Sequence, residues 1–240
     1  MSKTPTRRDL EIAKNSYFVR FLPEREGKLL LDSAVSHSFK RGELLFRQGE
    51  PSHTIWILVK GWVRLYRTAE HGGVADMGLL PAGQDLAGGT AMVGGVCPVS
   101  AEAATACTAL TMGNAAFRQS FANNPEVAIA LLKTAYHKAN MMLEHIEHLK
   151  IRSGAQRVAA FLLALCPEGG ETAEVTLPYN KIYIAGSLGM KRESLSRAFS
   201  RLSAHGVVVR NNVAYISSVT ALRTLVRRDP AEAWTRDAPA

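Results

Sequence analysis

From Ile129 onward the apolar residues recur at helical spacing. Ile129, Leu132, Tyr136, Ala139, Leu143 and Ile146 succeed one another by three, four, three, four and three. That is the a/d seam of a coiled-coil helix sustained for nearly three heptads, a period that no strand presents on one face. Asn124-Pro125-Glu126 marks its start: an N-cap residue, a proline at the first helical position and an acid in the first turn. A helix of this length must divide the 240-residue chain into an N-terminal and a C-terminal part. Two arrangements satisfy the stripe. It packs on the preceding segment, or it pairs with the same helix of a second copy. Met142 and Leu149 widen it enough for both, and the heptad spacing favours a homodimer.

Before the helix, residues from about 36 to 111 read as short strands separated by turns. Glu43-Leu44-Leu45-Phe46 runs to Gln48-Gly49-Glu50. Thr54 to Val59 runs to Lys60-Gly61, and Trp62-Val63-Arg64-Leu65-Tyr66 alternates until His71-Gly72-Gly73. Even spacing with turn signals between argues a compact antiparallel barrel or roll. Eight of the nineteen glycines fall between Gly72 and Gly95, where the backbone must turn tightly or approach something closely. The stretch from Arg7 to Leu31 reads as partly helical. A hydrophobic fraction of 47% suffices for a real core and excludes disorder for most of the chain.

After the helix, Ser153 is expected to cap a second helix over Gly154 to Leu165, closed by Cys166-Pro167-Glu168-Gly169-Gly170. A short helix then runs from Asn180 to Leu188, Gly189 makes a turn, and another helix runs from Lys191 to Ala204. Val207-Val208-Val209 and Val213-Ala214-Tyr215-Ile216 flank an Asn211-Asn212 turn as a hairpin. Helix, glycine turn, helix and hairpin make a winged helix-turn-helix. The formal net charge of +8 points the same way. Between Pro178 and Arg228 stand nine basic residues and one acid, Glu193, whereas the rest of the chain balances twenty of each. A whole excess confined to one segment is the electrostatic footprint of a polyanion partner. The second helix of the motif presents Arg192, Glu193, Ser196 and Arg197 on its polar side, with Leu195, Phe199 and Leu202 opposite. Arginine can donate twice to guanine and glutamate can accept from cytosine, so these four are candidate base readers. Lys181, Lys191 and Arg201, with the backbone N–H groups at the helix start, are candidates for phosphate.

The run Leu188-Gly189-Met190-Lys191-Arg192-Glu193-Ser194-Leu195-Ser196-Arg197 resembles the recognition box of the Crp/Fnr transcription regulators. Arg41-Gly42-Glu43-Leu44-Leu45-Phe46-Arg47-Gln48-Gly49-Glu50 resembles the first strands of that family's cyclic-nucleotide-binding-like β-roll. The order of roll, long helix and winged helix matches too, over roughly residues 20 to 225. The resemblance implies an α+β architecture: a β-roll effector domain over 1–123, a dimerisation helix over 124–152, a winged helix-turn-helix over 153–228 and a disordered tail over 229–240. It implies double-stranded DNA, a second copy of the chain and RNA polymerase as partners. Glu193, Ser196 and Arg197 fall on the family's base-reading positions, and Glu-x-x-Ser-Arg is similar to the Fnr side. That implies a palindrome of TTGAT-like half-sites, which Arg192 extends or shifts.

The effector is the less legible part. The resemblance places the effector pocket near Leu86, Gly88, Cys97, Val99 and Met142. Cyclic-AMP binders of the family need a glutamate, an Arg-Ser pair and hydroxyls on the long helix. The matching positions are Gly88, Cys97-Pro98 and Met142-Leu143. A cyclic phosphate without its arginine is an uncompensated buried anion, costing several kcal/mol, so an effector other than cyclic AMP is expected. An iron–sulfur cluster of the Fnr kind needs four thiolates grouped near the N-terminus, but the three cysteines are Cys97, Cys107 and Cys166. Haem sensing NO or CO stays open as a cofactor, because Leu177-Pro178-Tyr179-Asn180-Lys181 before Leu188-Gly189-Met190-Lys191 is similar to regulators of the Dnr type. Its candidate ligands are His37, His53, His71, His137, His145, His148 and Cys97. The plainer expectation is that His145 and His148 lie on a solvated helix face and that Cys97 is a buried, inert thiol, with Cys107 and Cys166 in the core. A redox role for Cys97, a cyclic-nucleotide response and an effector-independent regulator are the other readings.

Enzyme signatures are missing: there is no G-x-S-x-G, H-E-x-x-H or P-loop lysine motif. A small-molecule-binding roll joined to a protein-docking winged helix is the remaining rival, and the basic excess argues against it. With no run of about 18 apolar residues, no secretory leader and no C-x-x-C pair, a cytoplasmic protein away from the membrane is expected.

Overall fold

Among the described residues, eight strands arranged as two four-stranded antiparallel sheets precede the long helix. The computed structural model describes residues 2–86, 90–91, 94–113, 124–167, 169–178 and 181–227. One sheet joins β1 (Ser2–Lys3), β2 (Val35–Phe39), β8 (Cys107–Gly113) and β4 (Thr54–Lys60), in that order. The other joins β3 (Leu44–Phe46), β7 (Ser100–Ala103), β5 (Trp62–Thr68) and β6 (Val74–Pro81). Three helices, α1 (Arg7–Lys14), α2 (Tyr17–Arg20) and α3 (Glu24–Asp32), come before the roll.

The period of two along β4 explains why Thr54 to Val59 reads as a nearly continuous apolar run. Ile55, Ile57 and Val59 point to one side, where with Leu110 and Met112 they meet Phe18, Val19 and Leu30 of the N-terminal helices. Leu58 points to the other, into the roll, beside Val63, Ala101, Ala103 and Ala109. A strand buried on both faces has no place for alternating polar residues. The β4–β5 connection needs glycine. Gly61 has φ +82°, and a Cβ there would lie 2.5 Å from the Ala106 carbonyl oxygen and 2.8 Å from Cys107 Cβ.

The long helix α4 runs from Pro125 to Ile151 without interruption. The chain forms two compact units, Met1–Met141 and Met142–Ala240. Within the first unit α4 buries Val127, Ala130 and Thr134. Val127 and Ala130 join the cluster of Phe18 and Ile55. The second unit continues with α5 (Gly154–Leu165), β9 (Ala173–Thr176), α6 (Lys181–Ser187), α7 (Arg192–Leu202), a 3-10 turn (Ser203–His205), β10 (Val207–Arg210), β11 (Val213–Ile216) and α8 (Val219–Arg227). Ser153 caps α5 reciprocally: its Oγ accepts from Gln156 N at 3.3 Å, while Ser153 N donates to Gln156 Oε1 at 2.9 Å.

The structure enlarges the sequence reading in three places. Strand β9 pairs with β11, so the expected hairpin is part of a three-stranded sheet in the order β10-β11-β9. Helix α8 comes next, and Glu171 anchors its start, accepting from Ser218 Oγ and Thr220 Oγ1, each at 2.7 Å. At the N-terminus, Thr6 and Asp9 form a capping box on α1. Cys166, expected in the core, is half-buried at the end of α5, with extended backbone (φ −71°, ψ 140°) and its Sγ donating to Leu162 O at 3.3 Å. The expected tail, 229–240, lies outside the described residues.

Candidate nucleic-acid interface

Helix α7 sorts its residues by polarity. Leu195, Ala198 and Leu202 are buried, while Arg192, Glu193, Ser196, Arg197 and Arg201 are all exposed. Burial of each leucine stabilises the seating of the helix by roughly 1.5–3 kcal/mol, and the spacing that hides 195, 198 and 202 turns 192, 193, 196 and 197 outward together. Ser200 is exposed as well and continues that row by one turn. Sequence reasoning passed over it, although the three-four spacing from Glu193 and Ser196 carries the signal. The N-cap of α7 is Lys191, exposed and giving no side-chain acceptor to the first turn. The N–H groups there keep the partial positive charge that attracts anions. Lys181, also exposed, opens α6.

The turn before α7 is fixed by close packing. Gly189 has φ +60°, and a Cβ would sit 2.7 Å from Leu149 Cδ2 and 3.6 Å from the Arg157 guanidinium. Arg157 donates to the Gly189 carbonyl at 3.5 Å, and Met190 N donates to Ala185 O at 2.9 Å. The last turns of α4, helix α5 and the α6–α7 turn thus meet at one residue. On the hairpin, Asn211 takes the left-handed conformation (φ 55°) beside the exposed Arg210, and Arg223 and Arg227 are exposed on α8.

Along α4 the seam residues face solvent. Ile129, Leu132, Tyr136, Ala139, Leu143 and Ile146 are all exposed, Leu132 and Tyr136 by 70% and 69%. His145 lies exposed. His148, expected on a solvated face, is instead half-buried, and burial together with the Arg152 charge lowers its pKa.

Of the effector candidates, Leu86 and Cys97 are buried in one cluster inside the roll, with Val99 packed against it. Gly88 lies outside the described residues. Met142 is 66% exposed and belongs to the second unit. Burial raises the Cys97 thiol pKa against a lowering hydrogen bond with Ser52. Burial, with the Glu43 charge adding to it, pushes the Cys107 thiol up to about 11. Both sulfurs therefore stay protonated and poorly nucleophilic at neutral pH. The histidines are dispersed. His37 Nε2 is 2.8 Å from Thr111 Oγ1, His53 and His71 are exposed, and the His137 ring stacks on Tyr17 at 4.0 Å. Among the described residues no three His, Cys, Asp or Glu side chains gather as a metal-holding group, and no helix is long and apolar enough to cross a membrane.

Comparison with known proteins reads the two parts alike. Residues 36–124 match the family described as the cyclic nucleotide-binding domain, and residues 156–225 match the Crp-like helix-turn-helix domain. The nitrogen fixation regulation protein FixK of Bradyrhizobium diazoefficiens is 28% identical over 174 residues, 71% of this chain and 72% of FixK. A crystal structure from Ruegeria pomeroyi DSS-3 is 41% identical, with a TM-score of 0.76, over 92% of this chain and 98% of its own. DNR from Pseudomonas aeruginosa shares the fold at 24% identity and a TM-score of 0.52, over 93% of this chain and all of DNR. A nucleotide-binding-type roll followed by a Crp-like reading helix, in a chain so similar to these proteins, makes this a member of the Crp/Fnr family of DNA-binding transcription regulators.

Proposed function

We propose that the protein works as a homodimer on a palindrome of TTGAT-like half-sites, with Glu193, Ser196 and Arg197 reading base edges and Arg192 extending the contact. Lys181, Lys191 and Arg201 hold the flanking phosphates. The observation that carries this reading is the face of α7, where every candidate reader is exposed while Leu195, Ala198 and Leu202 anchor the helix behind them. The dimer is supported by the bare seam of α4. Apolar side chains as large as Leu132, Tyr136 and Leu143, more than 60% exposed along one helix, are stabilised once a second copy covers them. Two copies related by a twofold axis set half-sites about one DNA turn apart.

Control comes from an effector other than cyclic AMP that occupies the roll. The resemblance matches Cys97 to the arginine that holds the phosphate in the family's nucleotide binders, and Cys97 is buried in one apolar cluster with Leu86, Ala101 and Cys107. A cyclic phosphate buried among apolar side chains without a cation is uncompensated. A haem-borne response to NO or CO is read from the absorption spectrum of protein purified with haem supplied: a Soret band supports it.

The test of the DNA reading is Arg197→Ala, assayed by competitive fluorescence anisotropy on the palindrome and on random duplex. Loss of a bidentate base contact lowers the specific-to-random affinity ratio by about 1–3 kcal/mol without changing the melting temperature. An unchanged ratio rejects Arg197 as a reader.

A further inference from the structure

The tip of the winged sheet carries a cation that the protein itself does not neutralise. Strand β10 ends at Arg210, which pairs with Val213 of β11 across the turn, and Asn211 between them has φ 55°. Arg210 and Asn211 are both exposed. Among the described residues no carboxylate pairs with Arg210. Its neighbours across the sheet are Val213 and then Thr176. The acid on the same face, Glu174, stands in the next row, opposite Tyr215.

The tip is held on two sides. Strand β11 pairs over four consecutive residues with β10 and over four with β9, and Val207, Ala214, Ile216 and Val175 bury the inner face of the sheet. At the turn itself, Leu177 N donates to Asn212 O at 2.7 Å, and the Leu177 side chain is buried. That bond ties the tip to the segment that enters α6, whose first residue is the exposed Lys181. Arg210 and the start of α6 thus share one anchored corner of the winged unit. A cation on a backbone fixed in this way loses little freedom when it binds.

Strand β10 leaves the end of α7 through Gly206 and runs four residues to the tip, about 13 Å of strand. Neighbouring grooves of DNA lie about half a turn apart, ~17 Å along the axis. With α7 in a major groove, the tip and its arginine therefore reach an adjoining minor groove. A two-residue turn is the narrowest end of a sheet, and the minor groove is about 6 Å wide. Its floor at A·T pairs offers acceptors alone, whereas G·C adds an amino donor that opposes the donors of a guanidinium. Narrow A·T minor grooves also carry the more negative potential that draws in arginine. We propose that Arg210, with the amide of Asn211 beside it, is a minor-groove contact that selects A·T base pairs next to each half-site, at positions that α7 does not touch. The proposal rests on the half-site reading above.

The test uses the full chain on TTGAT palindromes of constant half-sites and spacing. The neighbouring base pairs, outside the half-sites in one set and between them in another, are A·T, G·C or inosine·cytosine. Inosine·cytosine keeps the major-groove edge of G·C and lacks its minor-groove amino group, so it tells the two grooves apart. Wild type binds A·T and inosine·cytosine neighbours about fivefold tighter than G·C in one of the two sets. Arg210→Ala, with an unchanged melting temperature, binds all three alike. Should Arg210→Ala fail to fold, Arg210→Gln, uncharged and closer in length, takes its place. Three results overturn the minor-groove role: wild type indifferent to the neighbours, a preference that persists without Arg210, or a loss of affinity in the variant that is equal on every neighbour, which marks a phosphate contact only. Inosine·cytosine that behaves as G·C does so too, since the major groove is then being read. A wild-type protein that binds palindrome and random duplex alike overturns the half-site reading instead.

Discussion

Gly189 shows how much can depend on one hydrogen atom. Its φ of +60° is a conformation in which a side chain costs about 1–2 kcal/mol, and the space a methyl would need is taken by Leu149 Cδ2. Gly189→Ala is expected to lower stability by at least that amount in urea unfolding, and to weaken operator binding because α7 begins three residues later. Unfolding that coincides with wild type would mean the turn tolerates a side chain. This residue was legible in the sequence, since a glycine between two helical patterns marks such a turn. So was the exposed face that carries Glu193, Ser196 and Arg197, because the alternation of apolar and polar residues along the helix already separates its two sides. The ion pair of Asp85 with Lys138 was not. They stand 53 positions apart, and nothing local in either stretch announces that one is buried and that the other answers it.

At the scale of elements, α4 carries two different faces. One packs on the N-terminal helices and the roll through Val127, Ala130 and Thr134, and the other leaves the seam bare. The double substitution Leu132→Glu with Leu143→Glu is expected to convert the proposed dimer to a monomer in analytical ultracentrifugation while the circular dichroism spectrum is retained, since both side chains are exposed within one chain. A dimer that survives both charges would place the interface elsewhere. The winged sheet offers a second test, through acid. The Ser218 and Thr220 hydroxyls donate to Glu171 and lower its pKa from the usual carboxylate value. A depressed folded-state pKa means that its contribution is present above the unfolded pKa and is lost as pH falls through the folded one. The stability difference between wild type and Glu171→Gln should therefore be largest near neutrality and shrink in acid, and a difference that grows as pH falls would reverse the sign. Elements were read unevenly from the sequence. The long helix, α5 with its Ser153 cap and the helix pair stand out because periodicity and caps agree. Strand β9 is four residues long, and its pairing with β11 is decided by a partner about 40 positions away. Likewise α8 begins with Val219 and Thr220, residues that favour strands in isolation, and its start is fixed by Glu171 from outside the helix.

For the whole molecule, the distribution of charge says more than its total. Nine basic residues and a single acid occupy residues 178–228, and the remainder is balanced. The structure sets several of these residues on exposed positions of the winged unit: Lys181 on α6, Arg192, Arg197 and Arg201 on α7, Arg210 on the hairpin, and Arg223 and Arg227 on α8. In the proposed function, phosphate contacts from the basic set supply affinity for any duplex, and the exposed row on α7 selects among duplexes. The measurement that tests this most directly is a salt titration of full-length protein on the palindrome and on random duplex. Affinity for both is expected to fall linearly with the logarithm of salt concentration. If a dimer neutralises about 6–10 phosphates, the loss between 50 and 200 mM is roughly 10³- to 10⁵-fold, with the palindrome tighter throughout. A flat dependence on salt, or equal affinity for the two duplexes at every concentration, would contradict it.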